Sequence, residues 1–132
     1  MDIFDAVRRL GLPTGHYVVF GGAPLMAHGI RETTDIDLFV TSTLYEALKA
    51  DGWEEKGSGG SRHLARGVFE VFDTWDYGDY NPAPEDIIAA AETIDGVPFA
   101  PLTEVLKWKK AFGRPKDAAD VELIEHHLRG IA

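Results

Sequence analysis

The stretch Gly21-Gly22-Ala23-Pro24-Leu25-Met26-Ala27-His28-Gly29-Ile30-Arg31-Glu32-Thr33-Thr34-Asp35-Ile36-Asp37 decides how this chain is read. Just before it, Tyr17-Val18-Val19-Phe20 is continuously apolar and reads as a short, fully buried strand. Gly21-Gly22 breaks that strand. Ala23 to His28 read as a short helix, with Pro24 tolerated in its first turn, and Gly29 as its stop. Residues 35–40, Asp-Ile-Asp-Leu-Phe-Val, form the next strand. Alternation along it places Asp35 and Asp37 on one face with Cα atoms roughly 7 Å apart, while Leu38, Phe39 and Val40 anchor it in the core. Two carboxylates on one face of a rigid strand can hold a hard divalent cation, because Mg²⁺ takes one or two protein carboxylates and fills its shell with waters and substrate phosphates. A Gly-Gly turn before a helix offers backbone N–H groups and a positive dipole end to a phosphate, with no side chain in the way. Each piece alone is commonplace: a D-x-D is usually a solvated sheet face, and Gly-Gly is usually plain turn chemistry. Their order, with Arg31 and Thr33 between them, is what gives the segment specificity.

Outward from this segment, residues 2–10 carry Ile3, Phe4, Val7 and Leu10 at helical spacing, and Gly11-Leu12-Pro13 ends that helix. On the other side, Thr43 is placed to cap a helix through Leu44, Leu48 and Lys49, stopped at Asp51-Gly52. Trp53 to Lys56 read as a strand, Lys56 to Ser61 as a hairpin loop, and residues 62–65 and 67–72 as further strand. Asp76 to Pro84 reads as a loop and residues 85–91 as helix. Glu92 to Ala100 read as a small hairpin around Asp95-Gly96. Pro101 opens a helix to Phe112, Gly113 breaks it, and Pro115 starts the last helix, to about Leu128. The expectation is one α+β domain over residues 1–132, a small mixed sheet with flanking helices and a helical C-terminal end.

Composition sets limits on this reading. A chain of 132 residues with 45% hydrophobic content suits one globular core. No run approaches the roughly 20 apolar residues of a membrane span, so no membrane partner is expected. The acidic start Met1-Asp2-Ile3-Phe4-Asp5 reads as a helix start rather than a secretory signal. Without cysteine there is neither a disulfide framework nor a thiolate metal site, and a cytoplasmic location is expected. A net charge of −9 argues against a nonspecific nucleic-acid coat. The charge is uneven: residues 35–100 hold 14 Asp/Glu against 4 Lys/Arg, whereas residues 101–132 hold 5 against 6. An acidic middle and a slightly basic end can together form a site for metal ions and a polyphosphate.

The segment Gly21 to Asp37 resembles the signature of polymerase-β-type nucleotidyltransferases. In the form G-G-x6-G-x-R-x-T-x-D-x-D it is similar to the minimal nucleotidyltransferases of abortive-infection and toxin–antitoxin systems, with Gly21, Gly22, Gly29, Arg31, Thr33, Asp35 and Asp37 as the matching positions. The tail also resembles that group: Lys109, Ala111, Arg114, Lys116, Asp117 and Asp120 fit K-x-A-x2-R-x-K-D-x2-D. The resemblance implies a nucleotidyltransferase fold that moves a nucleoside monophosphate from an NTP to a hydroxyl, with pyrophosphate leaving. The acceptor would be an RNA end such as that of a tRNA, a protein or a small molecule. Two Mg²⁺ ions would clamp the reacting phosphate. A role as a toxin or phage-defence enzyme, and a cognate antitoxin as partner, are likewise implied.

In such enzymes a third carboxylate on a neighbouring strand completes the metal site. The strand Val68-Phe69-Glu70-Val71-Phe72-Asp73 offers Glu70 or Asp73, which have opposite parity. Glu70 shares its face with Val68 and Phe72, where an unpartnered carboxylate is costly and a metal would be the partner. Asp73 falls at the strand end and can cap Thr74-Trp75. Glu70 fits the family frame better, although the family usually shows Asp. That departure keeps a second reading open, a catalytically weakened nucleotide- or partner-binding module. Asp35, Asp37 and Glu70 are thus the expected metal ligands and catalytic carboxylates, and Gly21, Gly22, Arg31, Thr33, Lys109 and Lys116 the expected nucleotide-binding residues. Lys109 and Lys116 are seven apart and share a helix face if the break at Gly113 is mild; otherwise they are ordinary solvated lysines. Asp117, in the first turn of the last helix, can cap it or pair with Arg114. His16 and His63 have no partner at metal-ligand spacing, His28 is expected to pack at a helix end, and His126 and His127 to be exposed.

Overall fold

A computed structural model describes residues 2–59, 62–76 and 78–131. Asp2 caps the first helix, α1 (Ile3–Arg9), by accepting from the backbone of Phe4 and Asp5. The apolar run gives β1 (Tyr17–Phe20), buried at every residue, followed by α2 (Ala23–Ala27) and β2 (Ile36–Val40). Then come α3 (Ser42–Ala50), β3 (Glu54–Lys56), β4 (His63–Arg66), β5 (Phe69–Phe72) and α4 (Pro84–Ala89). The hairpin β6 (Glu92–Ile94) and β7 (Val97–Phe99) precedes α5 (Leu102–Phe112) and α6 (Pro115–Ile131). The seven strands form one mixed sheet in the order β3-β4-β5-β2-β1-β7-β6. Pairs β1–β2, β3–β4, β4–β5 and β6–β7 are antiparallel, while β2–β5 and β1–β7 are parallel. This is the expected α+β arrangement.

Both faces of the sheet are covered. Val19, Leu38, Val71 and Phe99 pack on one side against Ile3 and Val7 of α1 and Tyr45 and Leu48 of α3. Val18, Phe20 and Phe39 pack on the other against Trp75, Ile87 of α4, Val105 and Trp108 of α5 and Ile124 of α6. Trp75 centres that second layer, with ring centroids 4.8 Å from Phe39, 5.1 Å from Phe20 and 5.2 Å from Trp108. Edge-on and tilted contacts of this kind add to the burial of large rings. The aromatic layer fixes where α5 sits, and therefore where its C-terminal half meets the sheet.

Two glycine-containing stops act as the sequence suggests. Asp95 and Gly96 both have positive φ, 50° and 77°, as a two-residue turn between twisted strands requires. Gly113 ends α5 in the left-handed region, its N–H bonded to Lys109 O. The cap of α3 differs from expectation. Thr41, not Thr43, closes it: the Leu44 N–H donates to Thr41 Oγ1 at 3.3 Å, and His16 Nδ1 lies 2.9 Å from the same hydroxyl. Thr43 is exposed in the first turn. The helix starts earlier because Thr41, the last residue before it, is extended and held by its own partner. Gly60 and Ser61 of the expected 56–61 loop, and Tyr77 of the 76–84 loop, lie outside the described residues. Thr41→Ala should therefore cost about 1–2 kcal/mol in urea unfolding, and Thr43→Ala no more than about 0.5 kcal/mol.

Candidate active site

Register places the carboxylates. On β1 and β2 Phe20 stands opposite Asp37, and on β2 and β5 Asp37 stands opposite Glu70. The next row on the same face is Val18, Phe39 and Phe72, which is wholly apolar. Asp37 and Glu70 thus sit side by side where the aromatic layer gives way to a cavity of about 570 Å³. Asp35 lies immediately before β2, exposed and on the same cavity, and its backbone carbonyl accepts from Thr33 Oγ1 at 3.2 Å.

The glycine turn supports Asp37 through space as much as through backbone. Gly21 has φ of 72°, and a Cβ there would overlap Asp37 Oδ2 and stand 2.9 Å from its Cγ. Any side chain at 21 would displace the carboxylate. At Gly22 a Cβ would come within 2.8 Å of Arg31 Nη2 and 3.2 Å of Thr33 Oγ1. Arg31 and Thr33 therefore lie across the turn.

Sharing the cavity with the carboxylates is a wall of cations contributed by the loop after α2, by α5 and by the start of α6. Arg31 donates through Nε and Nη2 to the two oxygens of Asp120, both at 2.7 Å. Lys109, buried at 4% exposure, places Nζ 2.8 Å from Asp120 and 3.4 Å from Asp117. Arg114 grips Asp117 through Nε at 2.7 Å and Nη2 at 3.0 Å, and its backbone N–H reaches the same carboxylate at 3.2 Å. Three cations share two carboxylates in this chain of contacts. Lys116, exposed at the rim, carries a fourth positive charge.

The charges act across the cavity. Burial first, then the neighbouring charges of Glu70 and Asp35, push the Asp37 carboxyl up to about 7, against a pull downward from Lys109 and Arg114. Among the described residues no hydrogen bond or ion pair satisfies the Asp37 carboxylate. In Asp117 and Asp120 burial acts in the same upward direction, but the hydrogen bonds and charges of Arg114, Lys109 and Arg31 outweigh it and hold both below the usual carboxylate value. The hydrogen bond to Asp120 raises the Arg31 guanidinium further.

Of the residues expected from sequence, Gly22, Arg31, Thr33, Asp35, Asp37, Glu70, Lys109 and Lys116 all line this one cavity, and Gly21 lies directly behind Asp37. Asp73 does not: it is buried elsewhere, bound by Arg62 at 2.9 Å and by the Thr74 hydroxyl. Lys109 and Lys116 do not share a helix face, because Gly113 ends α5 between them; the chain turn brings both to the cavity. Several lining residues had no expected role. His63 stacks on Phe72 at 5.2 Å and places Nε2 3.7 Å from Glu70 Oε2. Its only sequence signal was the register of the β4–β5 hairpin. His127 is half-buried against His28, with ring centroids 5.7 Å apart, rather than exposed.

Among the described residues no group of three or more His, Asp and Glu side chains converges as a metal cage. The donor set nonetheless suits Mg²⁺, which needs only one or two carboxylate oxygens beside waters and phosphates. Asp37, oxygen-bearing and, among the described residues, without a protein partner, is the side chain such an ion would satisfy. Among the described residues no helix is long and apolar enough to cross a membrane. Comparisons with protein-family models, curated proteins and solved structures find no match to the chain.

The raised Asp37 pKa has a consequence for stability. Its folded value of about 7 exceeds the ordinary 3.8, so its contribution is greatest below the unfolded value and is lost as pH rises through the folded one. Asp117 and Asp120, held low, contribute above pH 4 and lose that contribution as pH falls. In chelator-treated protein, urea unfolding should show stability declining between about pH 4 and 7. Asp37→Asn should flatten that decline and be the more stable protein at pH 8. Equal pH profiles for the two proteins would contradict the assignment.

Proposed function

We propose that this chain is an Mg²⁺-dependent nucleotidyltransferase, transferring a nucleoside monophosphate from an NTP to a hydroxyl acceptor. The observation that carries the reading is the mixed lining of one cavity, which Asp35, Asp37 and Glu70 share with Arg31, Lys109, Arg114 and Lys116. A metal–triphosphate complex needs both signs of charge within a few ångströms. The match of the motif residues to polymerase-β-type nucleotidyltransferases supports the nucleotidyltransferase fold as part of the same proposal.

On this reading Arg31 and Lys116 take the triphosphate charge, with Thr33 and the Gly21-Gly22 turn beneath. Lys109, buried and already paired, acts through its field on Asp37 and by holding the wall together. Asp35, Asp37 and Glu70 would hold Mg²⁺, which when bound polarises the reacting phosphate and neutralises charge on the leaving oxygen. The acceptor hydroxyl oxygen forms a bond to the α-phosphorus while the bond to the bridging oxygen breaks and pyrophosphate departs. Glu70, with 47% of its side chain exposed, would take the hydroxyl proton. The acceptor is an RNA end, a protein or a small molecule, and the toxin or phage-defence role and antitoxin partner follow the family resemblance.

A second reading, a nucleotide-binding module without turnover, is favoured by the absence of a three-ligand cage among the described residues and by Glu70 standing where the family usually shows Asp. Incubation with α-labelled NTPs, Mg²⁺ and cell extract separates the two. The enzyme reading expects labelled acceptor and pyrophosphate, reduced about 10³-fold in Asp37→Ala. Nucleotide binding by calorimetry without pyrophosphate release would instead establish the module.

A further inference from the structure

Arg114 is distinguished from Arg31, whose Nε and Nη2 are likewise taken by a carboxylate, by the aromatic ring that lies against it. Two of its five N–H donors, on Nε and Nη2, are taken by Asp117, which also offsets its charge. The same bidentate grip fixes the plane of the guanidinium. One face of that plane lies on Phe112, with Cζ 3.8 Å from the ring centroid. Trp108 stands at 71° to Phe112 and its centroid is 5.7 Å from Cζ, so it does not stack on the same plane. Arg114 lines the cavity with about a third of its side chain exposed (31%).

We propose that Arg114 is the stacking platform for the nucleobase of the bound nucleotide, with Phe112 as its backing. This rests on the nucleotidyltransferase reading and assigns to the site a residue with a specificity role. A flat, delocalised cation held in one orientation and backed by an aromatic ring presents a π-accepting surface of the size of a base. The triphosphate is left to Arg31 and Lys116, and the base lies toward the start of α6. Lysine cannot replace this function, since it keeps the charge but has no plane.

The test is calorimetric, in Mg²⁺, with two ligands: the tightest-binding of the four common NTPs, and inorganic tripolyphosphate, which lacks base and sugar. For Arg114→Lys the expected result is an affinity for the NTP reduced about tenfold or more, with tripolyphosphate affinity unchanged. Phe112→Leu, which keeps every charge, should weaken the NTP selectively as well. Retained tripolyphosphate binding reports an intact site in either variant. Equal losses for both ligands would make Arg114 a phosphate ligand or a structural residue, and unchanged NTP affinity in both variants would remove it from the site; each overturns the proposal while leaving the nucleotidyltransferase reading in place. Failure of the unmodified protein to bind any NTP would overturn both.

Discussion

Two carboxylates held side by side at the middle of a sheet impose the constraint around which this molecule is arranged. Asp37 and Glu70 are cross-strand partners on parallel strands, about 4.8 Å apart in the pairing direction. Like charges directly opposite are destabilising, and burial at the edge of an aromatic layer adds to the cost. The fold does not remove the conflict by pairing Asp37 with a cation. It places Lys109 and Arg114 across a cavity, near enough to lower the Asp37 pKa but bonded to other carboxylates. Unresolved charge of this kind is characteristic of sites that bind a counter-charge from outside.

The cationic wall is built as a unit. Asp120 joins Arg31, from the loop after α2, to Lys109 on α5, and Asp117 joins Lys109 to Arg114 at the start of α6. The loop after α2 is thereby tied at the cavity to the corner between α5 and α6, Arg31 and Asp120 lying 89 positions apart. A buried ion network adds little net stability compared with apolar packing, yet removing one member leaves an uncompensated buried charge and is costly. Its value here is positional: it holds flat guanidinium groups and an ammonium in fixed places opposite the carboxylates. The aromatic layer beneath, centred on Trp75 and Trp108, keeps α5 from shifting along the sheet.

Much of this was legible in the chain because it is local. The buried strands follow from unbroken apolar runs, the stops from the Asp95-Gly96 dipeptide and from Gly113, and the Arg114–Asp117 pair from spacing in the first turn of a helix. What was illegible is set by tertiary contact. The choice of Thr41 over Thr43 as cap depends on His16, 25 residues away. Arg31 finds Asp120 across 89 positions. Preference for Glu70 over Asp73 came from family resemblance and face parity, whereas in the fold Arg62 removes Asp73 to another environment. His63 carries no signal of its own, since Glu70 is its neighbour only once β4 and β5 pair. Sequence spacing therefore points to residues that share one cavity, but not to how its cations are held.

Joint binding of a divalent ion and a triphosphate at the carboxylate wall is what the proposed function requires. Its most direct test is a crystal structure grown with Mn²⁺ and an NTP analogue that cannot be cleaved at the α-phosphate, with the metal located by anomalous scattering. The proposed function predicts an anomalous peak coordinated by oxygens of Asp35 or Asp37 and of the analogue's phosphates, with the phosphates directed toward Arg31 and Lys116. A cavity without metal under saturating Mn²⁺ and analogue, or a metal peak away from these carboxylates, would contradict it.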